Sequence, residues 1–146
     1  MVVSFCGHRN VYDEIEKLIV AGVDTFYFGS KSEFDRFCYV VVSILKEKYP
    51  HIVSVLVIPY INKDYDKSLY DISEYPPIEN VPKRLAIIKR NRWMVDKSDV
   101  VVAYIRNNFG GAAMMFDYAE RKDVATNCRI PVFSIDAVET LLDWRN

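Results

Sequence analysis

Short apolar segments alternate with amphipathic segments along almost the whole chain, and this alternation limits the folds that the chain can adopt. Five apolar runs have the length of strands: residues 2–6, 25–28, 53–58, 100–104 and 130–135. They are apolar at successive positions, which is typical of strands buried on both faces. The order predicts a Rossmann-like α/β fold, with a mostly parallel sheet of five or more strands and helices on both faces.

The segments between these runs space their apolar residues like one face of a helix. They predict helices at residues 12–21, 33–49 and 112–121, and a short helix that starts at Asp136. Helical spacing over 81–95 predicts a further helix, which ends near Lys97. Gly22 and Pro50 are the expected stops of the first two helices. Residues 59–82 are rich in Tyr, Asp, Asn and Pro, so we predict a long loop there, and such a loop in a small domain is usually functional.

The size and composition fit one globular domain. The chain has 146 residues, of which 51% are hydrophobic, so we expect a single domain over residues 1–146. No apolar run approaches the roughly 20 residues that cross a bilayer, and the first residues do not resemble a secretory signal. We therefore expect no membrane contact and a cytoplasmic location. The three cysteines lack metal-site spacing, and we expect free thiols, no metal and no cofactor.

The charge and the aromatic content lead to two expectations about partners. The formal net charge is −1, whereas a nucleic-acid partner normally needs a basic face, so we expect no nucleic acid. The basic residues of the third predicted helix are interpreted as its solvated face. Ten Tyr and eight Phe exceed what one core readily hides, which predicts a homo-oligomer.

Glycines follow three of the predicted strands, at Gly7, at Gly29 and at the pair Gly110 and Gly111. In open α/β sheets, ligands bind outside the carboxyl ends of the strands. Glycine lets a backbone approach a ligand closely, and the free N–H groups of a following helix favour an anion such as phosphate. A tight turn would explain each glycine alone. Their joint position predicts a ligand site at this edge.

Polar residues at the same edge could serve this site. His8 and Arg9 follow the first strand and could contact phosphate, ribose or base, or form a solvated pair. Arg90 could fork onto a phosphate or carboxylate, because its guanidinium offers two parallel N–H bonds. Tyr60 lies in the long loop and could stack on a base or pack on the helix beneath it.

Five short segments also resemble a known family. They are FCGHR at 5–9, FGS at 28–30 with EFD at 33–35, VIPY at 57–60, KRNRWMVDKSD at 89–99, and GGAA at 110–113. Together they resemble the SLOG superfamily, over about residues 3–122. Its members include the LOG enzymes, which release cytokinin bases from nucleoside 5′-monophosphates, and domains of antiphage defence proteins that sense cyclic nucleotide signals.

The resemblance implies a Rossmann-like fold that binds nucleotides or ADP-ribose-type molecules. We therefore predict that the chain binds a nucleotide-derived small molecule, as a sensor or a sequestering module. The candidate ligand-binding residues from the resemblance and the strand ends are Gly7, His8, Arg9, Gly29, Ser30, Glu33, Asp35, Tyr60, Arg90, Asn91, Gly110, Gly111 and Ala112.

Catalysis is the main alternative. The LOG enzymes carry PGGxGTxxE after the fourth strand and an arginine on the preceding helix. Here the pair Gly110 and Gly111 is kept, whereas the Pro, the third Gly, the Thr and the Glu are replaced. If the chain is an N-glycosidic hydrolase or transferase acting on nucleoside phosphates, Arg90 and Asp117 would be its catalytic residues. The replacements favour binding over hydrolysis. A protein-binding role is a third reading, but it leaves the glycines at the strand ends unexplained.

Overall fold

The computed structural model describes most of the chain in seven segments: residues 2–5, 11–29, 33–61, 63–65, 69–104, 111–122 and 125–129. Their elements in chain order are β1 (Val2–Phe5), α1 (Val11–Val20), β2 (Thr25–Phe28), α2 (Glu33–Lys48), β3 (Val53–Val57), β4 (Ile72–Glu74), a 3-10 turn (Lys83–Leu85), α3 (Ala86–Lys97), β5 (Val100–Tyr104), α4 (Gly111–Arg121) and β6 (Ala125–Arg129).

The strands form one sheet in the order β4-β3-β2-β1-β5-β6, and every neighbouring pair is parallel. In the register at the centre, Val3 pairs with Phe26 on one side and with Val100 on the other. The strand order reverses between β1 and β5, as in doubly wound sheets, where the crevice at the reversal is the usual ligand site. The predicted mixed α/β fold with a parallel sheet is confirmed.

Helices cover both faces of the sheet and enclose two separate cores. Phe26 and Phe28 of β2 pack with α1 and α2 in one core. Tyr27, between them, packs with α3 and α4 in the other. This alternation follows from the strand geometry, because successive side chains point to opposite faces. Each strand near the middle must therefore be apolar at successive positions, as the sequence shows.

Local signals ended the first two helices where the sequence predicted. Gly22 has a φ of 114°, a left-handed conformation that glycine adopts without strain. Its N–H donates to the carbonyl of Ile19 at 3.0 Å, and that of Val23 donates to Leu18 at 2.9 Å. These bonds satisfy carbonyls at the end of α1. Helix α2 ends at Lys48, two residues before Pro50.

The structure differs from the sequence prediction mainly within residues 59–82. The predicted loop contains β4, a strand of three residues that pairs with β3 at the edge of the sheet. All three β4 residues are exposed or half-buried, so no buried face marks this strand in the sequence. The predicted third helix begins as a 3-10 turn at Lys83–Leu85, and it ends at Lys97 as predicted.

The prediction for the carboxyl-terminal part falls mostly outside the described residues. The predicted strand at 130–135 and the predicted helix from Asp136 lie there entirely. The structure places β6 just before them, at Ala125–Arg129, paired in parallel with β5. Its sequence, ATNCR, is largely polar, so backbone pairing rather than an apolar pattern defines it. No helix among the described residues is long and apolar enough to cross a membrane.

Candidate functional site

The carboxyl edge of the sheet brings together the ends of β2 and β3. Because all the strands are parallel, Gly29 after β2 and Ile58 after β3 lie at the same edge. Helices α2 and α4 begin beyond this edge, at Glu33 and Gly111. The sequence placed the candidate site at this edge.

Arg90 lies at this edge, inside the fold. Its side chain reaches from α3 to the ends of two strands, and the residue is only 2% exposed. Nη1 donates to the carbonyl oxygens of Gly29 at 3.1 Å and of Val57 at 2.8 Å. Nε donates to Oδ1 of the neighbouring Asn91 at 2.8 Å. The guanidinium therefore ties α3 to β2 and β3, and these bonds occupy Nε and Nη1.

The charge of Arg90 is balanced within the protein. Burial lowers the pKa of its guanidinium, and the carboxylate of Asp35 opposes this shift. Asp35 belongs to the first turn of α2 and is itself 6% exposed. A buried cation with a nearby carboxylate is the arrangement expected for a structural charge, because burying an unpaired charge costs several kcal/mol. Arg90 is thus a buried anchor of the edge.

Gly29 is required by the position of Arg90. A Cβ atom on residue 29 would lie 3.1 Å from Cζ, Nη1 and Nη2 of the guanidinium. These separations are shorter than ordinary van der Waals contacts, and Arg90 is held by its two carbonyl bonds. The glycine of the FGS segment therefore makes room for an arginine of the same protein.

Two tyrosines of the long loop lie beside this anchor. Tyr60 is half-buried, and its hydroxyl donates to the carbonyl of Lys83 at 3.0 Å. Tyr65 has a buried hydroxyl close to the backbone of Tyr60, and burial raises its pKa. The ammonium of Lys63 lies 6.0 Å from the Tyr65 ring. Lys63 and Lys83 are both exposed, so aromatic rings and exposed cations lie together at this edge.

The remaining predicted residues divide into two groups. The structure does not describe the first group, which is Gly7, His8, Arg9, Ser30 and Gly110. The second group is placed by its backbone: Glu33 begins α2, and Gly111 and Ala112 begin α4. Asp117 lies exposed on α4, whereas Arg90 is buried. This difference in exposure does not favour the two as a catalytic pair.

The sequence prediction missed a second cluster on the outer side of α3 and α4. Three cations surround the ring of Tyr118, with Arg92 at 5.4 Å, Lys122 at 5.5 Å and Arg121 at 6.0 Å from the ring centre. The hydroxyl of Tyr118 donates to Oδ1 of Asp96 at 2.8 Å. Burial, with this bond, raises the pKa of that hydroxyl.

A second ring and a fourth cation extend this cluster. The ammonium of Lys97 lies 6.0 Å from the ring of Trp93, which stacks on Tyr27 with the ring centres 5.7 Å apart. We call the whole group the α3–α4 basic surface, with the members Arg92, Trp93, Lys97, Tyr118, Arg121 and Lys122. Helical spacing in KRNRWMVDK is a signal that could have placed Arg92 and Trp93 near Asp96, but the packing of α4 against α3 was not readable from the sequence.

The chain was compared with known proteins by sequence and by structure. No family model matches the chain, and no curated protein matches its sequence. In structure it is similar to DNA processing protein A from Helicobacter pylori, which binds single-stranded DNA. The TM-score is 0.55 and the sequence identity is 16%, over 99% of this chain and 73% of that one. At this identity the likeness is one of fold.

This likeness contradicts two predictions made from the sequence. The predicted function was binding of a nucleotide-derived small molecule. It is wrong, because the similar structure is that of a protein that binds single-stranded DNA. The predicted absence of a nucleic-acid partner is wrong on the same finding. Net charge misled the second prediction because it sums over the whole surface, whereas a nucleic acid responds to the local field. Helix α3 carries four basic residues and one acidic residue, while α1 carries one basic residue and three acidic ones.

Proposed function

We propose that this chain binds single-stranded DNA at the carboxyl edge of its sheet. The observation that carries the proposal is the grouping of two tyrosine rings, Tyr60 and Tyr65, with the exposed cations Lys63 and Lys83. Proteins that bind single strands combine aromatic rings, on which bases stack, with cations that follow the phosphates. Both kinds of group lie at this edge.

Each part of the edge has a physical task under this proposal. The hydrogen bond from Tyr60 to Lys83 fixes the ring beside the start of the 3-10 turn, so little ring entropy is lost on binding. Lys63 and Lys83 offer compact charges to phosphate oxygens. Arg90 acts as a positioning residue, because its bonds hold the strand ends from which this loop starts.

The fold supports the proposal in a general way. The similar structure is that of a single-stranded DNA-binding protein, and almost the whole of this chain corresponds to it. The SLOG resemblance stays a prediction, as do the single domain, the homo-oligomer, the cytoplasmic location, and the absence of a metal and a cofactor. The candidate ligand-binding residues also stay predictions.

Fluorescence anisotropy with a labelled fifteen-nucleotide dT strand tests the proposal. We expect the wild-type protein to bind the strand at low salt and to release it as salt is added, because phosphate contacts release counterions. Tyr60→Ala should weaken binding by about 5- to 150-fold, since base stacking on one ring is worth about 1–3 kcal/mol. Tyr60→Phe keeps the ring but loses the hydrogen bond to Lys83, so its affinity should lie between those of the wild type and Tyr60→Ala.

A charge-matched control lies at the end of α2 that is away from the carboxyl edge. Lys48→Gln removes an exposed cation from the last turn of α2 and should leave the affinity unchanged, whereas Lys63→Gln should lower it. Absence of measurable binding by the wild type at 50 mM salt and micromolar protein would refute the proposal. Equal losses of affinity in Tyr60→Ala and Lys48→Gln would show that the carboxyl edge is not the binding site.

A further inference from the structure

The α3–α4 basic surface lies on two helices that carry more cations than carboxylates at their surface. With Lys122, α3 and α4 have five exposed or half-buried cations and three exposed carboxylates, which are Asp96, Asp117 and Glu120. Arg92, Arg121 and Lys122 approach one ring from two helices. Between residues that the structure describes, the salt bridges of this chain lie elsewhere and involve none of these cations. The carboxylate of Asp96 accepts a hydrogen bond from the hydroxyl of Tyr118. The surface therefore keeps an excess of positive charge that an anion can neutralise.

The aromatic members indicate which kind of anion fits. The rings of Trp93 and Tyr118 lie next to these cations and are half-buried, so each keeps an exposed part. A duplex offers mainly phosphates to such a surface, because its bases are stacked inside. A single strand offers phosphates to the cations and unstacked bases to the rings. The chemistry favours a single strand.

Helix α3 connects this surface to the carboxyl edge. Its start adjoins the turn that holds Lys83, near Tyr60, and its end carries Lys97. Exposed Lys89 and half-buried Arg92 lie between these points, three residues apart and so on the same helix face. The 12 residues of α3 span about 18 Å at 1.5 Å each, so a strand of several nucleotides is needed to follow the helix from one end to the other.

We propose that the α3–α4 basic surface is a second contact surface for the same DNA strand, which continues from the carboxyl edge along α3. The inference rests on the proposed function, because it takes single-stranded DNA as the ligand. The second surface predicts that the DNA strand runs along α3. It also predicts that only a strand long enough to reach both surfaces binds with full affinity. A strand of about four nucleotides fills the carboxyl edge alone, whereas a strand of fifteen reaches both surfaces.

The test compares two double variants that remove equal charge from opposite faces. Arg121→Gln with Lys122→Gln alters exposed residues at the end of α4, and Lys17→Gln with Lys48→Gln alters exposed residues of α1 and α2. The first pair should lower the affinity for fifteen-nucleotide dT about tenfold at 50 mM salt. It should also make the slope of log affinity against log salt shallower by about 1.4, or about 0.7 for each lost phosphate contact. The second pair should change the affinity less than twofold.

Strand length separates the two surfaces. Four-nucleotide dT, measured as a competitor of the labelled longer strand, should bind the first double variant as well as it binds the wild type. A loss for the short strand as large as for the long one would overturn the second surface, as would equal losses in both double variants. Unchanged long-strand affinity in the first variant would overturn it and leave the carboxyl-edge site intact. A wild type that binds neither strand would overturn both.

Discussion

At the scale of single residues, Arg90 shows how burial changes the meaning of a charged side chain. The sequence made it a candidate for holding a ligand anion. In the structure, its Nη1 is occupied by two backbone carbonyls, and Asp35 lies close enough to affect its pKa. The residue contributes by fixing the strand ends, and Gly29 is the other half of this arrangement because a Cβ atom there would lie only 3.1 Å from the guanidinium.

The substitution Gly29→Ala should lower the free energy of unfolding by about 1–2 kcal/mol, measured by urea denaturation. The added methyl group would press on a guanidinium that is held by two carbonyl hydrogen bonds, and overpacking of this kind costs about 1–3 kcal/mol. The reduced entropy of the unfolded chain returns about 0.4–1 kcal/mol. In an Arg90→Met background the same alanine should be neutral or stabilising. Additive effects of the two substitutions would contradict this coupling.

At the scale of elements, β4 owes its place to side-chain bonds more than to apolar burial. Oδ2 of Asp71 accepts hydrogen bonds from the backbone N–H of Ser54 at 2.9 Å and from its hydroxyl at 3.2 Å, and it pairs with the ammonium of Lys46. Ile72, the first residue of the strand, is 52% exposed. A carboxylate just before the strand thus joins β4 to β3 and to α2.

The stability contributed by Asp71 should depend on pH. Burial tends to raise the pKa of Asp71, but the hydrogen bonds from Lys46 and Ser54 outweigh it, so the pKa lies below its ordinary value. A lowered pKa in the folded state gives stability that is present above the unfolded pKa, about 3.9, and lost as the pH falls through the folded pKa. At pH 7, the free energy of unfolding of Asp71→Asn should be about 1 kcal/mol lower than that of the wild type.

This difference should shrink as the pH falls from 5 to 3, when the wild-type carboxylate takes up its proton. Urea denaturation at several pH values measures it. Asp64→Asn, an exposed change in the same loop, is the control and should have no comparable effect at pH 7. A difference between Asp71→Asn and the wild type that stays constant down to pH 3 would show that the carboxylate charge is not involved.

At the scale of the whole molecule, one sheet separates two cores and two differently charged helix layers. The many aromatic residues that predicted a homo-oligomer are divided between the two cores, with Phe26 and Phe28 on one face and Tyr27 on the other. The homo-oligomer stays a prediction. The charges divide as well, since α1 is acidic and α3 basic. A count of aromatic residues or of charges over the whole chain shows neither division.

Because β2 contributes to both cores, the two helix layers should unfold together. Ile15→Val, in α1, should lower the free energy of unfolding by about 1 kcal/mol. Trp144 is replaced by Phe so that Trp93, which stacks on Tyr27 in the other layer, is the remaining tryptophan. The unfolding transition followed by Trp93 fluorescence should then shift as much as the transition followed by circular dichroism. A Trp93 transition that does not move with Ile15→Val would mean that the α3–α4 layer unfolds independently.

The sequence by itself determined the central elements of the fold. Residues 25–28 and 100–104 form β2 and β5 as predicted, and Gly22 ends α1, because side-chain spacing and backbone conformation act within a few residues. Only the tertiary structure decided that β4 joins the sheet, since an exposed edge strand needs no apolar pattern.

The candidate sites divide in the same way. The sequence located the carboxyl edge, because parallel strands must end together. Only the packing showed that Arg90 fills the space above Gly29 and that cations of α3 and α4 meet around Tyr118. These residues are distant in sequence, and their charges act over a few ångströms. Their contacts therefore depend on how the helices cross, which no local pattern encodes.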